Sequence, residues 1–162
     1  VENRKGESVL FSSREDTGYF VFFARKHNAN KDLIVLRADK MLVTSRISRI
    51  IEERIKNREA IYEILRDFGT CYVVIEDKEF KSPPLEWLRE EVKSDRFILR
   101  KRIPIHSNSN KLRDVALDIY EYKEYTPPKR GKKLQMNIPL MGDSISVEFD
   151  DLLHNKYTNR MK

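Results

Sequence analysis

The amino-acid sequence predicts an α/β fold: three-layered, Rossmann-like and built on a mainly parallel sheet. Three short apolar runs carry this prediction, SVLFS at Ser8–Ser12, LIVL at Leu33–Leu36 and CYVVI at Cys71–Ile75. Continuous runs with branched side chains are typical of strands buried on both faces. Patterns with helical spacing separate the runs, and such alternation implies parallel strands joined by right-handed crossovers, with helices on both faces.

The first helix is predicted from its two ends. Ser13 to Asp16 supplies a capping serine followed by acidic residues, which favour a helix N-terminus. The stretch YFVFFARKH, from Tyr19 to His27, is apolar and then basic. Aromatic residues also favour strands. We predict a helix because the capping signal precedes the stretch and cations favour a helix C-terminus.

Two further helices are predicted between the second and third strands. The first rests on isoleucines at helical spacing, namely Ile47, Ile50, Ile51 and Ile55. The second rests on a similar apolar series, namely Ile61, Ile64, Leu65 and Phe68. Asn57 is expected to separate the two and to cap the second. Gly69 is expected to end that helix in the left-handed conformation.

After the third strand, Ser82-Pro83-Pro84 predicts a helix start, with serine as the cap and proline in the first turn. Trp87 on that helix is interpreted as a core anchor. A partly alternating strand follows at Phe97–Ile103. Val115–Tyr122 (VALDIYEY) alternates more clearly and is predicted to be an antiparallel edge strand.

The chain is divided into an α/β core, residues 1–125, and a C-terminal extension, residues 126–162. Thr126-Pro127-Pro128 and the basic stretch after it are interpreted as a linker. The extension then predicts a β-hairpin, with strands at 134–138 and 144–149, and a short helix around 151–154. We expect it to pack on the same domain.

Composition restricts the class of protein. The 162 residues carry a formal net charge of +6, and the longest apolar runs are far too short to cross a bilayer. A basic excess permits contact with phosphates, nucleic acid or an anionic membrane but demands none of them. The cations are spread among 26 acidic residues, so a nucleic-acid partner is disfavoured. The lone Cys71 excludes an internal disulfide and a multi-cysteine metal site, and it is interpreted as a small core residue.

Charged side chains follow each of the three buried runs. In an open parallel sheet, ligands bind beyond the carboxyl ends of the strands, so these side chains are the candidate binding residues: Asp16, Asp39, Lys40, Glu76 and Asp77. The functional interpretation is a metal or sugar-phosphate site built from Asp16, Asp39 and Asp77, because hard oxygen ligands that converge from several strand ends would suit Mg²⁺. The competing interpretation is that loop positions are polar because they are solvated, and we favour it for Glu76 and Asp77, which are expected to lead the chain from the third strand into water.

No motif assigns a reaction. The sequence contains no G-x-G-x-x-G, no Walker A loop and no G-x-S-x-G elbow. The acidic residues reproduce no recognised metal spacing, and the three histidines are scattered. We therefore predict no catalytic residue, no metal ligand and no cofactor.

Three stretches resemble the soluble C-terminal region of polytopic membrane glycosyltransferases. They are EDTGYFVFFARKHNANKDLIVLRADKML, IYEILRDFGTCYVVIED, and RFILRKRIPI with LRDVALDIYEYK. The likeness spans Leu10 to about Lys123 and is to the lipid-phosphate-sugar-dependent class that includes protein O-mannosyltransferases and aminoarabinose transferases. The third stretch resembles the closing strand pair of such regions.

This resemblance implies a non-catalytic domain on the extracytoplasmic face of a membrane. In that class the catalytic carboxylate lies in a loop of the membrane-spanning part, so no catalytic residue can be assigned to this chain. The implied partner is the membrane-spanning part of the same polypeptide, and the implied role is to position the acceptor or the lipid-linked sugar. A first residue that is Val1 rather than Met agrees with this expectation.

Two alternatives stay open. One is a stand-alone metal-dependent hydrolase or phosphotransferase that uses the strand-end carboxylates. The other is a basic nucleic-acid-binding or adaptor module. Whether the chain by itself is an enzyme is left open, and the sequence does not specify the sugar, the acceptor or the oligomeric state.

Overall fold

The computed structural model describes residues 7–13, 17–27, 33–45, 51–78, 82–105, 115–137 and 144–153. Nine strands and five helices lie within these ranges. In chain order they are β1 (Ser8–Ser12), α1 (Thr17–His27), β2 (Ile34–Arg37), α2 (Ala38–Met41), β3 (Val43–Ser45), β4 (Ile51–Glu53), α3 (Glu59–Asp67), β5 (Thr70–Glu76), α4 (Pro83–Glu91), β6 (Phe97–Pro104), β7 (Ala116–Tyr122), β8 (Lys133–Asn137), β9 (Ser144–Glu148) and α5 (Phe149–Leu153).

The central element is a five-stranded mixed sheet in the order β2-β1-β5-β7-β6. Strand β1 is parallel to both β2 and β5, with Leu10 opposite Leu36 on one side and Val73 on the other. The predicted α/β class and the three adjacent parallel runs are therefore confirmed. Strand β7 is antiparallel to β5 and to β6. With two parallel and two antiparallel ladders, the sheet is mixed rather than mainly parallel.

Strand β7 is an interior strand, so its predicted position at the sheet edge is wrong. It pairs with β5 through Val74 and Ile119, and with β6 through Phe97 and Tyr122. Its alternation arises because every second side chain lies on one face of the sheet, and this holds for interior and edge strands alike. The antiparallel edge strand is β6.

Helices cover both faces of the sheet. On one face, Leu10 and Val73 pack with Leu65 of α3 and Leu88 of α4 in the larger apolar cluster. On the opposite face, Phe20 of α1 stacks on Phe11 with ring centroids 4.0 Å apart. The first is called the α3–α4 face below, and the second the α1 face.

Helix α3 and its two ends follow the sequence prediction. The side-chain oxygen of Asn57 accepts a hydrogen bond from the backbone N–H of Ala60 at 3.0 Å, as expected of a capping asparagine. Ile61 and Leu65 are fully buried. Gly69 follows with φ of 56°, the left-handed conformation that ends many helices.

The helix predicted through Ile51 and Ile55 is wrong. Strands β3 and β4 form an antiparallel hairpin there, with Val43 opposite Glu53, while Ile47 and Ile50 lie outside the described residues. Ile55 is buried in the larger cluster. A single isoleucine in an irregular segment can be buried in the core just as the apolar face of a helix can. The spacing of the isoleucines therefore did not distinguish a helix from the hairpin that is observed.

The predicted start of α4 is confirmed in position, because Pro83 is the first helical residue and Ser82 occupies the cap position, but the Ser82 side chain makes no capping hydrogen bond. The side chain of Trp87 packs against the larger cluster, as expected of a core anchor. Helix α1 is also confirmed and begins at Thr17. The predicted capping residue, Ser13, lies four residues before this start, and its hydroxyl donates to Glu76. Residues 14–16 lie outside the described residues.

The C-terminal segment contains the predicted hairpin, β8 with β9, in which Leu134 pairs with Val147. Helix α5 follows, and its Phe149 is fully buried in the larger cluster, edge-on to Phe68 with centroids 5.1 Å apart. The backbone N–H of Lys129 donates to the carbonyl of Asp67 at 3.0 Å. These contacts join the segment to α3, while the boundary at residue 125 stays a prediction.

Candidate functional site at the carboxyl ends of the strands

The candidate residues occupy two separate positions along the sheet. Asp39 and Lys40 lie in α2, directly after β2, whereas Glu76 ends β5 and Asp77 follows it. Strand β1 lies between β2 and β5. The two strand ends are therefore roughly 10 Å apart, twice the usual spacing between neighbouring strands. Asp16 lies outside the described residues.

The Asp39 carboxylate is bound by the residue just before the helix. Arg37 donates from Nε and Nη2 to the two carboxylate oxygens, at 3.0 and 2.7 Å. The Lys40 ammonium lies 3.9 Å from the same carboxylate. The side chains of Arg37, Asp39 and Lys40 are all largely exposed. The Arg37–Asp39 ion pair therefore contributes at most about 1 kcal/mol to the free energy of unfolding.

Glu76 is 1% exposed, so its expected emergence into water is wrong. The ladder between β5 and β7 continues through this residue, which pairs with Leu117. The Ser13 hydroxyl donates to Glu76 Oε2 at 2.8 Å. A buried carboxylate requires such polar partners because its transfer out of water is costly.

Asp77 closes the end of the β5–β7 ladder. Its Oδ1 accepts the backbone N–H of Ala116 at 3.0 Å, and its own N–H donates to the carbonyl of Ala116 at 3.0 Å. Its Oδ2 accepts from Nη2 of Arg102. Its backbone carbonyl accepts from Arg89 of α4 at 2.8 Å. Asp77 thus contacts three elements, β7 and β6 through its side chain and α4 through its backbone carbonyl.

Sequence reasoning missed Arg102 and Asp118 as members of this cluster. Arg102 Nη1 donates to Asp118 Oδ1 and Oδ2 at 3.2 and 3.0 Å, and the Asp118 side chain is 8% exposed. Burial raises the pKa of Asp118; the Arg102 charge opposes this rise and the Asp77 charge adds to it. The sequence of β7 did indicate that Asp118 is buried, because the alternation of side chains places Asp118 on the same face of the sheet as the buried Tyr120.

Within the residues that the structure describes, no group of three or more histidines, cysteines or carboxylates could hold a metal ion. Burial, together with nearby Glu7, raises the pKa of the Cys71 thiol to about 12. That thiol is therefore protonated at neutral pH, unlike a nucleophilic cysteine. The cations and carboxylates of the cluster bind one another and tie strand ends together.

Comparison with known proteins adds no relative: no family model, no curated protein and no solved structure matches this chain. None of the helices in the described ranges has the length and apolarity needed to cross a membrane.

Proposed function

We propose that this chain is a non-catalytic, extracytoplasmic soluble domain of a lipid-phosphate-sugar-dependent membrane glycosyltransferase, similar to the protein O-mannosyltransferase and aminoarabinose transferase class. Its partner is the membrane-spanning part of the same polypeptide. Its role is to help position the acceptor or the lipid-linked sugar. The sheet and its helices belong, in this proposal, to a three-layer Rossmann-like domain.

The observation that carries the proposal is where the three resembling stretches lie. The first, residues 15–42, covers α1, β2 and α2, and the second, residues 61–77, covers most of α3 and all of β5. The third covers β6 and β7. Together with β1 these elements form the whole five-stranded sheet. The resembling stretches lie in one folded unit. This supports the same domain in this chain and in those glycosyltransferases better than matches scattered over unrelated elements would.

The contacts of the strand-end carboxylates support a non-catalytic role. Asp39 is bound by Arg37, and Asp77 by Arg102 and by the Ala116 N–H. A hydrolase or phosphotransferase would need these carboxylates to meet at one cation or substrate. Here the two belong to strand ends separated by β1, and each has its own partner.

The first test uses the purified chain. We expect no sugar transfer from a polyprenyl-phosphate sugar and no metal-dependent hydrolysis of p-nitrophenyl phosphate. Turnover that disappears in Asp39→Asn or Asp77→Asn would instead support the hydrolase or phosphotransferase.

The second test uses the natural reading frame around Val1, expressed in membranes. We expect it to encode several apolar spans of about twenty residues and to transfer sugar from a lipid phosphate. Asp39→Asn should leave transfer unchanged, whereas Val74→Asp, which unfolds the domain, should lower it. A reading frame without such spans would remove the proposal.

A further inference from the structure

Edge strand β6 carries most of the large apolar side chains that are exposed in the described part of the chain. Among the described residues, four large apolar side chains are exposed, and three of them lie on β6: Ile98 at 36%, Leu99 at 50% and Ile103 at 38%. The fourth, Phe22, lies on α1. Ile98 and Ile103 point to the α1 face, and Leu99 to the α3–α4 face, as their register with β7 requires. The apolar surface therefore follows the edge itself and not one face.

Three cations lie between these apolar residues, at Arg100, Lys101 and Arg102. The two arginines also bind carboxylates of β7: Arg100 binds Glu121, and Arg102 binds Asp118. Arg102 also binds Asp77, which follows β5. The two arginine side chains are about half exposed, at 51% and 55%, whereas the side chains of Glu121, Asp118 and Asp77 are 34%, 8% and 21% exposed. The outermost charge along this edge is therefore positive, which is complementary to an anionic surface.

The edge is poorly suited to pairing with another strand. A bulge interrupts its register between Leu99 and Lys101, and Pro104 has no N–H to donate. Bulges, prolines and cations are the features that protect exposed edges from strand addition. A second copy paired across a two-fold axis would also bring the central cations of both strands together. The binding partner of this edge is thus a surface that does not form backbone hydrogen bonds with β6.

The apolar side chains distinguish between anionic surfaces. Proteins that bind single-stranded nucleic acids stack bases on aromatic rings, and the exposed apolar residues of β6 are all aliphatic. Aliphatic side chains flanked by cations suit the boundary between lipid headgroups and acyl chains, where apolar groups insert and cations meet phosphates.

We propose that β6 is a membrane-contact edge that binds anionic phospholipids. Ile98, Leu99 and Ile103 enter the headgroup boundary, and Lys101 with the two arginines meets the lipid phosphates. This inference goes beyond the proposed function and does not rest on it, because it concerns lipid contact by this chain alone.

The test is co-sedimentation of the purified chain with phosphatidylcholine vesicles, with or without phosphatidylglycerol. We expect binding to the anionic vesicles that weakens as salt is added. Lys101→Gln should lower the partition coefficient about fivefold, the effect of one cation near such a surface. Replacing Ile98, Leu99 and Ile103 together by serine should lower it roughly tenfold or more. All three are exposed, so the variant should keep its circular dichroism spectrum.

Matched controls remove similar groups elsewhere. Lys56→Gln removes an exposed cation from the turn before α3, and Phe22→Ser removes the exposed apolar side chain of α1. Both should bind as the parent chain does. Equal binding to neutral and anionic vesicles, or equal losses in controls and β6 variants, would overturn the proposal. Binding of a DNA duplex that the same β6 changes abolish, without vesicle binding, would assign the edge to nucleic acid instead.

Discussion

Arg102 on edge strand β6 holds the buried carboxylate of Asp118 on β7, donating from Nη1 to Asp118 Oδ2 at 3.0 Å. The same guanidinium binds Asp77 at the end of β5 through Nη2. One side chain thus joins the last three strands of the sheet at one end. The arrangement is asymmetric, because the cation is half exposed whereas the Asp118 side chain is 8% exposed.

This asymmetry predicts that removal of the cation is costly. Arg102→Gln should lower the free energy of unfolding by about 2 kcal/mol at pH 7, because a hydrogen-bonded charge is lost above a buried carboxylate. Urea unfolding measures the change. The neighbouring Lys101→Gln is the matched control, and it should change stability by less than about 0.5 kcal/mol, as exposed substitutions usually do.

The same variant should depend on pH in a defined direction. Burial already raises the pKa of Asp118 in the folded state, and removal of Arg102 raises it further. An acid with a raised folded pKa loses stability as pH rises from its unfolded value, about 3.9, through the folded value. The difference between parent and Arg102→Gln should therefore shrink as the pH falls through the two folded pKa values, which both lie above the unfolded value of about 3.9, and it should be small once Asp118 is protonated in both proteins. A difference that grows in acid would show that Asp118 is not the group responsible.

A second ion-pair cluster joins the C-terminal segment to α3, and the pKa of its carboxylate is shifted in the opposite direction. Asp67 is partly buried, which opposes ionisation, but hydrogen bonds and charge from Lys129 and Lys132 outweigh this and lower its pKa. Asp67→Asn should cost about 1 kcal/mol at pH 7. A lowered folded pKa gives stability that is present above the unfolded value and lost as the pH falls through the folded value, so the cost should vanish in acid.

The control for this experiment is on the same helix. Glu59 is 62% exposed and lies 3.6 Å from Arg66. Glu59→Gln should change the urea midpoint little at any pH, since an exposed pair contributes little. If both substitutions proved equally costly, the stabilisation would come from helix charge in general and not from the link to residues 129 and 132.

Two glycines in the left-handed conformation provide a matched pair. Gly131 has φ of 72° and open space around it, so Gly131→Ala should cost about 1 kcal/mol from backbone strain alone. At Gly69 an added Cβ would lie 2.6 Å from Cδ of Pro128. Gly69→Ala should therefore cost about 3 kcal/mol, combining strain with displacement of the linker. Thermal unfolding of the two variants separates these contributions, and equal losses would show that Pro128 moves without cost.

The structure predicts different losses of stability for two substitutions, Ile34→Asp and Val74→Asp, in runs that the sequence alone predicts to be equally buried. Both Ile34→Asp and Val74→Asp place a carboxylate in a predicted buried strand. Val74 is 4% exposed on β5 in the sheet interior, whereas Ile34 is only partly buried on edge strand β2. Val74→Asp should prevent folding, because an unpaired buried carboxylate costs several kcal/mol. Ile34→Asp should leave a folded chain of lower stability, which circular dichroism and urea titration would detect.

The parallel part of the sheet could be predicted because it depends on local signals. Continuous apolar runs mark strands with two covered faces, and Asn57 and Gly69 mark the ends of α3. The β3–β4 hairpin could not be predicted, since isoleucines at helical spacing suited a helix equally well. The interior position of β7 also escaped prediction, because side-chain alternation does not report how many neighbours a strand has.

The candidate site was predicted only in part for the same reason. Asp39 and Asp77 were correctly expected at strand ends, yet their partners depend on strand order. The insertion of β7 between β5 and β6 brings Arg102 to Asp77 across 25 residues of chain. Asp118 could have been suspected, because a carboxylate in a buried register position requires a cation.

Phe149 completes the larger apolar cluster from a position 81 residues after its ring partner Phe68. During synthesis the ribosome releases α3, β5, α4, β6 and β7 well before this ring emerges. Until then the α3–α4 face lacks one of its largest fully buried side chains, a deficit of about 3–5 kcal/mol when such a ring is missing from a core. The α3–α4 face therefore cannot be fully packed until a residue that follows every strand of the five-stranded sheet has been synthesised.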